Sequence, residues 1–288
     1  MSLSLVRTIA GFALRESLRR RVFVVVAVLT VAFLALYGLG AWQAFQEVDE
    51  GFGDDDLAGV EPQTVAGATL LGLAMFGTLF LGTILAVFLT LGAVRGDAES
   101  GLLQPVLVRP VGRGTLLIAR FAGAAAICAA YVTVVFVIAA VLTQLAGGWW
   151  PDRIVGPALG LAAAVALLSA LALAGSVFLA STANGIAVFM VFGAGLVAGL
   201  LGQIGEALSS DTLSTVADVS TWALPFEALY QDALAGLTAD TVGFTKLAID
   251  LGPFGGAQDA GPLLWLWALA YLGVIGVVAL RGFAQRDL

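Results

Sequence analysis

Residues 154–203 read IVGPALGLAAAVALLSALALAGSVFLASTANGIAVFMVFGAGLVAGLLGQ, fifty consecutive positions without Asp, Glu, Lys, Arg or His. A helix crosses a bilayer in about 20 apolar residues, because each residue advances about 1.5 Å and lipid offers no partner to exposed backbone groups. Fifty is too many for one crossing. The polar, glycine-containing break Ser181-Thr182-Ala183-Asn184-Gly185 divides the run into two spans, residues 156–181 and 185–203, joined by a tight turn.

Working outward, four more stretches qualify as spans. Residues 22–42 are uncharged and end on Trp42, an aromatic suited to the interface. Residues 64–94 are uncharged over their whole length, longer than a perpendicular span needs, so this helix tilts or starts above the hydrocarbon. Residues 121–146 precede Trp149, Trp150 and Pro151, an interfacial belt and a stop, and residues 263–280 follow the last long loop. The expected fold is all-α: a polytopic membrane protein with six transmembrane helices, one domain over residues 1–288.

Charge orients it. Arg7, Arg15, Arg19, Arg20 and Arg21, then Arg95, Arg109, Arg113 and Arg120, then Arg281 and Arg286 account for 11 of the 13 basic residues. All fall on one side of a six-span arrangement, and positive loops stay in the cytoplasm. Seven carboxylates between Glu47 and Glu61, Asp152, and eight between Glu206 and Asp259 make 16 of 20 on the other side. Two tallies of opposite sign therefore predict cytoplasmic N- and C-termini in the cell membrane. A single lysine beside 12 arginines and 20 carboxylates resembles the composition of proteins from salt-loving organisms.

Residues 1–21 place Leu3, Val6, Ile9, Ala10, Ala13, Leu14 and Leu18 near helical spacing, with arginines opposite. This predicts an amphipathic interfacial helix on the inner surface. A cleaved signal would have a shorter apolar core and a small-residue site. The external loop, residues 204–262, is too long to lack structure. After Pro225, positions Phe226, Leu229, Tyr230, Ala233, Leu234 and Leu237 predict a helix that floats at the outer interface or dips into it, with Glu227, Gln231 and Asp232 on its other face.

Several chemistries are closed to this chain. With no histidine and one cysteine, Cys128, zinc sites and the usual catalytic triads lack their residues. No G-x-x-x-x-G-K-[ST] phosphate loop occurs, so the chain is not expected to be an enzyme, to hold a metal or cofactor, or to bind nucleic acid. The spans, as bounded, hold no ionisable side chain, which disfavours a proton-driven carrier. Thr133, Gln144, Ser169, Ser176, Asn184 and Gln203 read as helix-packing partners.

The segment 95–115, between the second and third spans, brackets a short apolar face with charge. Asp97 and Glu99 suit a helix N-terminus, Leu102, Leu103, Val106 and Leu107 form one stripe, and Pro110 forces an extended exit. Such an element docks into a groove on a soluble partner, or else it is a connector whose arginines anchor the membrane surface.

The run Gly96-Asp97-Ala98-Glu99-Ser100-Gly101-Leu102-Leu103-Gln104, followed by Arg109-Pro110-Val111 and Arg113-Gly114, resembles the cytoplasmic loop of type 2 ATP-binding-cassette (ABC) exporter permeases. Arg15-Glu16-Ser17-Leu18-Arg19, Pro225-Phe226-Glu227-Ala228-Leu229-Tyr230 and the terminal Phe283-Ala284-Gln285-Arg286-Asp287-Leu288 extend the likeness to both ends and the outer loop. The nitrous-oxide-reductase maturation permeases are among those it is similar to. The resemblance implies a membrane subunit that pairs with a second permease copy and with cytoplasmic ABC ATPase subunits, which bind the ATP. It also implies a coupling role for Asp97, Glu99, Ser100, Gly101, Leu102, Leu103, Arg109 and Pro110, with Arg15, Glu16 and Arg19 of the interfacial helix completing that contact. The expected function is the pathway for ATP-driven transport, in the export direction. The alternatives are a non-transporting scaffold for a soluble partner and, less favoured, a secondary carrier. Substrate identity is not legible; the maturation-type likeness hints at copper-related work.

Overall fold

The computed structural model describes residues 21–51, 60–90, 113–208, 210–250 and 261–285. Nine α-helices and one 3-10 turn, and no strand, occur among these residues. Six helices are long and apolar enough to cross a membrane: α1 (Arg21–Gly51), α2 (Pro62–Thr90), α3 (Arg113–Gly147), α4 (Val155–Phe178), α5 (Ser181–Ala207) and α9 (Pro262–Ala284). Between α5 and α9 lie α6 (Asp211–Ala223), α7 (Pro225–Ala235), a 3-10 turn (Gly236–Thr238) and α8 (Gly243–Asp250). Six antiparallel crossings put the start of α1 and the end of α9 at one end of the bundle, here the terminal end; the other is the distal end.

Local chemistry explains the helix limits. Pro62, Pro225 and Pro262 open their helices, where a missing N–H costs nothing. α3 stops at Gly148, whose φ of 69° is left-handed and whose N–H bonds to the Gln144 carbonyl at 2.8 Å. Leu179 turns extended and ends α4.

Several helices overrun the apolar segments read from sequence, since backbone hydrogen bonding continues past the hydrocarbon. α1 runs to Gly51 rather than residue 42, and α3 starts at Arg113 rather than 121, taking up the last residues of the 95–115 loop. The α4–α5 break falls at residues 179–180, so Ser181 to Gly185 form the first turns of α5 rather than the turn between spans.

The core sits on α2 and α4. In their most apolar windows 67% and 61% of residues are buried, against 11%, 22% and 17% in α1, α5 and α9, with α3 between at 33%. Leu71, Met75, Leu79 and Leu85 of α2 meet Leu161, Val165 and Leu168 of α4 and Val132 and Phe136 of α3. At Gly82 a methyl group would stand 2.5 Å from Val132 Cγ1 and 3.1 Å from Val165 Cγ2. Glycine there lets three helices close on one point, as packing without a hydrophobic drive requires.

Lone hydroxyls inside the spans bond to their own helix: Thr83 Oγ1 to the Leu79 carbonyl, Ser169 Oγ to Val165 and Ser176 Oγ to Leu173, all within 2.7–2.8 Å. Asn184 reaches further, donating Nδ2 to the Ala172 carbonyl at 2.8 Å and so tying α5 to α4.

Candidate functional site

The stripe of α5 that faces the bundle organises the site. Gly185, Val188, Phe192, Gly195 and Gly199 recur at three- and four-residue spacing and share this side of the helix, while the exposed Thr182, Ile186 and Met190 stand on the adjoining side. At the terminal end Gly185 of this stripe, the adjoining Thr182, Ile186, Phe189 and Met190, and Val87 and Phe88 of α2 line an open groove of about 560 Å³. Its walls are apolar apart from the Thr182 hydroxyl.

Above the groove runs an aromatic ladder. Phe80 of α2 lies 6.3 Å from Phe189 and 6.0 Å from Phe192, and Phe192 stacks on Phe226 of α7 at 6.2 Å. These separations are those of interacting ring pairs. From Gly185 to Gly199 the stripe rises about 21 Å at 1.5 Å per residue, about two thirds of the hydrocarbon thickness of about 30 Å.

The distal end of the stripe is closed by a re-entrant hairpin. The chain leaves α5 at Ala207, yet by Phe226 and Glu227 it is back beside Gly195 and Gly199, twelve and eight residues earlier on α5. A methyl at Gly195 would lie 2.5 Å from the Phe226 ring, and one at Gly199 would overlap the Glu227 carboxylate. On the other flank Gly160 of α4 admits α7, with room for a methyl only 2.8 Å from Ala233 Cβ and 3.0 Å from the Leu229 carbonyl oxygen. α7 then climbs back out. Asp152, between α3 and α4, accepts from the Asp240 N–H at 2.9 Å and the Thr241 hydroxyl at 3.2 Å, and donates its N–H to the Leu237 carbonyl at 3.0 Å.

Glu227 changes the electrostatic picture. Its side chain is 3% exposed, not on an outward face. Gln231 Nε2 donates to it at 2.7 Å. Burial raises its pKa from 4.5 to about 7, and the Gln231 bond lowers it by less. Tyr230 beside it is also pushed up, by burial first and then by the Glu227 charge. The Tyr230 hydroxyl and Gln231 Oε1 are buried without a partner. The spans lack carboxylates in their apolar interiors, but the bundle receives one from the loop. The signal that could have located it is the Gly195/Gly199 pair, a smooth i, i+4 strip on α5 that admits a second helix closely.

The model of the ABC-2 family transporter proteins matches residues 7–288. The chain belongs to that family. No curated protein matches it. An ABC-2 permease is the transmembrane component of an ABC transporter and is not itself catalytic, so this is a multi-pass membrane permease. Among the described residues no three of His, Cys, Asp and Glu are grouped to hold a metal ion.

The coupling residues expected in this permease, Asp97, Glu99, Ser100, Gly101, Leu102, Leu103, Arg109 and Pro110, lie outside the described residues, as do Arg15, Glu16 and Arg19 of the interfacial helix. The groove, the ladder and the Glu227 seat were not among the expected site residues. From the sequence Thr182 and Gly185 fall in the turn between two spans, and α7 is a helix that floats at the outer interface or dips into it.

Proposed function

We propose that this ABC-2 permease forms, with a second copy of itself or of a related permease, the pathway of an exporter driven by a separate cytoplasmic ATPase. The observation that carries the reading is the family match over residues 7–288. Three features support the finer parts. The arginine-rich terminal end suits the cytoplasm and the acid-rich distal end the exterior. The groove opens near the terminal end while the hairpin closes the distal end, an arrangement that admits cargo from the cytoplasmic side. α1, α5 and α9 keep broad exposed apolar faces, which lipid and a second permease copy would cover.

The cargo that fits such a groove has an apolar body and few polar groups, since Val87, Phe88, Ile186, Phe189 and Met190 line it with one hydroxyl. The chain itself binds no cofactor in this reading; ATP binds the partner subunit. Work enters through Glu99, Ser100 and Gly101. A hydrophilic motor can deliver it there because that loop shares the positive side with both termini.

The test is co-purification with the cognate ATPase. Glu99→Arg and Gly101→Trp are expected to abolish cargo-stimulated ATP hydrolysis and to weaken the complex at least tenfold while leaving the permease folded. Unchanged assembly and stimulation in both variants would remove the coupling assignment.

A further inference from the structure

Glu227 is a buried carboxylate with no cation beside it among the described residues. The influences on its protonation are burial and the Gln231 bond. α4, packed along α7, carries no titratable residue. α5 carries Glu206 near its distal end, and α6 carries Asp218 and, at its exposed start, Asp211. α9 offers Tyr271 and Arg281, the latter about 28 Å along the helix from Pro262. On α7 itself stand Tyr230 and Asp232. A charge buried in this company is expensive unless it is neutralised.

The ligand that neutralises it must be small. The carboxylate lies so close to Gly199 that even a methyl group there would overlap it, and no metal-ligand cluster exists among the described residues. Acceptors also outnumber donors on this face of α7. The two Glu227 oxygens and Gln231 Oε1 have one bonded donor among them, Gln231 Nε2, while Gln231 Oε1 and the Tyr230 hydroxyl are left orphaned. One added proton supplies a donor and removes the charge at once.

We propose that Glu227 is a proton-binding latch: protonated, it seats the α6–α7 hairpin against Gly199 of α5; ionised, it releases the hairpin and opens the distal end of the stripe. Position matters to this balance. Glu227 is the third residue of α7, where the helix dipole favours the ionised form, and Gln231 favours it too. Burial outweighs both, and the pKa rises from 4.5 to about 7 in the seated state. A raised value means that the seat is fully stabilised below pH 4.5 and loses that stabilisation as pH climbs through about 7. Between pH 6 and pH 8 the equilibrium between seated and released hairpin shifts toward release by about tenfold.

Hydrogen exchange read by mass spectrometry on the permease in lipid nanodiscs tests this without cargo or ATPase, so its outcome is independent of the transport reading. Protection factors, corrected for the pH dependence of intrinsic exchange, are compared at pH 6 and pH 8 for peptides within residues 211–238. The wild type should lose about tenfold of its protection there, with α2 and α4 unchanged. Glu227→Gln, neutral at both pH values, should keep the hairpin protected at both. Gly199→Ala, which blocks the seat but leaves the carboxyl in place, should show low protection at both, and it decides the matter if Glu227→Gln does not fold. A wild type without pH response, or either variant responding as the wild type does, overturns the latch.

Discussion

Glycine decides how near α7 comes to the bundle, and the contact distances say which glycine matters most. At Gly160 an added methyl meets Ala233 Cβ at 2.8 Å and the Leu229 carbonyl oxygen at 3.0 Å, both fixed to the helix and unable to swing aside. Gly160→Ala is therefore expected to cost about 1–3 kcal/mol, read as a lower midpoint in thermal denaturation, whereas Gly40→Ala, with nothing within 4 Å, should not lower it. Asn184 is the second residue with a decided outcome. Asn184→Ala leaves the buried Ala172 carbonyl without the Nδ2–H donor, and should destabilise by about 1–3 kcal/mol in the same assay. Its polarity was legible in the sequence and marked the α4–α5 break to within a few residues. Its bond twelve residues back was not legible, because that depends on Gly175, whose missing side chain makes the room.

At the scale of elements, periodicity located α7 but misjudged what its faces meet. Phe226, Leu229, Tyr230, Ala233 and Leu234 are buried as their spacing predicts. Glu227, one step round the helix, was assigned to solvent because carboxylates usually sit there. The pattern of one helix cannot report that α5 presents glycines to it. Of the two expected placements α7 takes the dipping one, beside Gly195 and Gly199, and its way out is held by Asp152. Asp152→Ala removes the acceptor shared by the Asp240 N–H and the Thr241 hydroxyl. Those groups are exposed, so the thermal midpoint should stay within error of wild type, while thermolysin should cut residues 236–242 several-fold faster. Equal cleavage rates would mean that the exit is held by α8 instead, through the Thr245 hydroxyl that accepts from the Glu61 N–H at 2.9 Å.

Across the whole molecule, the six-span body was legible because lipid imposes one answer on an uncharged run, and the run 154–203 could not be anything else. The groove was not legible, since Thr182, Gly185, Ile186 and Phe189 look like any small and apolar packing residues until they are seen beside Val87 and Phe88 of α2 at the terminal end. If this stripe carries cargo, bulk placed in the groove should block transport without disturbing the core. Ile186 lines the groove and is 57% exposed, so Ile186→Trp fills open space instead of opposing a packed neighbour. The expected outcome in proteoliposomes with the cognate ATPase is a loss of cargo flux of at least tenfold, with basal ATP hydrolysis and the thermal midpoint retained. Val28→Trp on α1 is the control for bulk alone, because Val28 is 61% exposed on a helix that contributes no residue to the groove, and its flux should match wild type. Flux retained in Ile186→Trp would place the pathway on another face, and flux lost equally in both variants would point to the exposed faces of α1 and α5 meeting in the dimer.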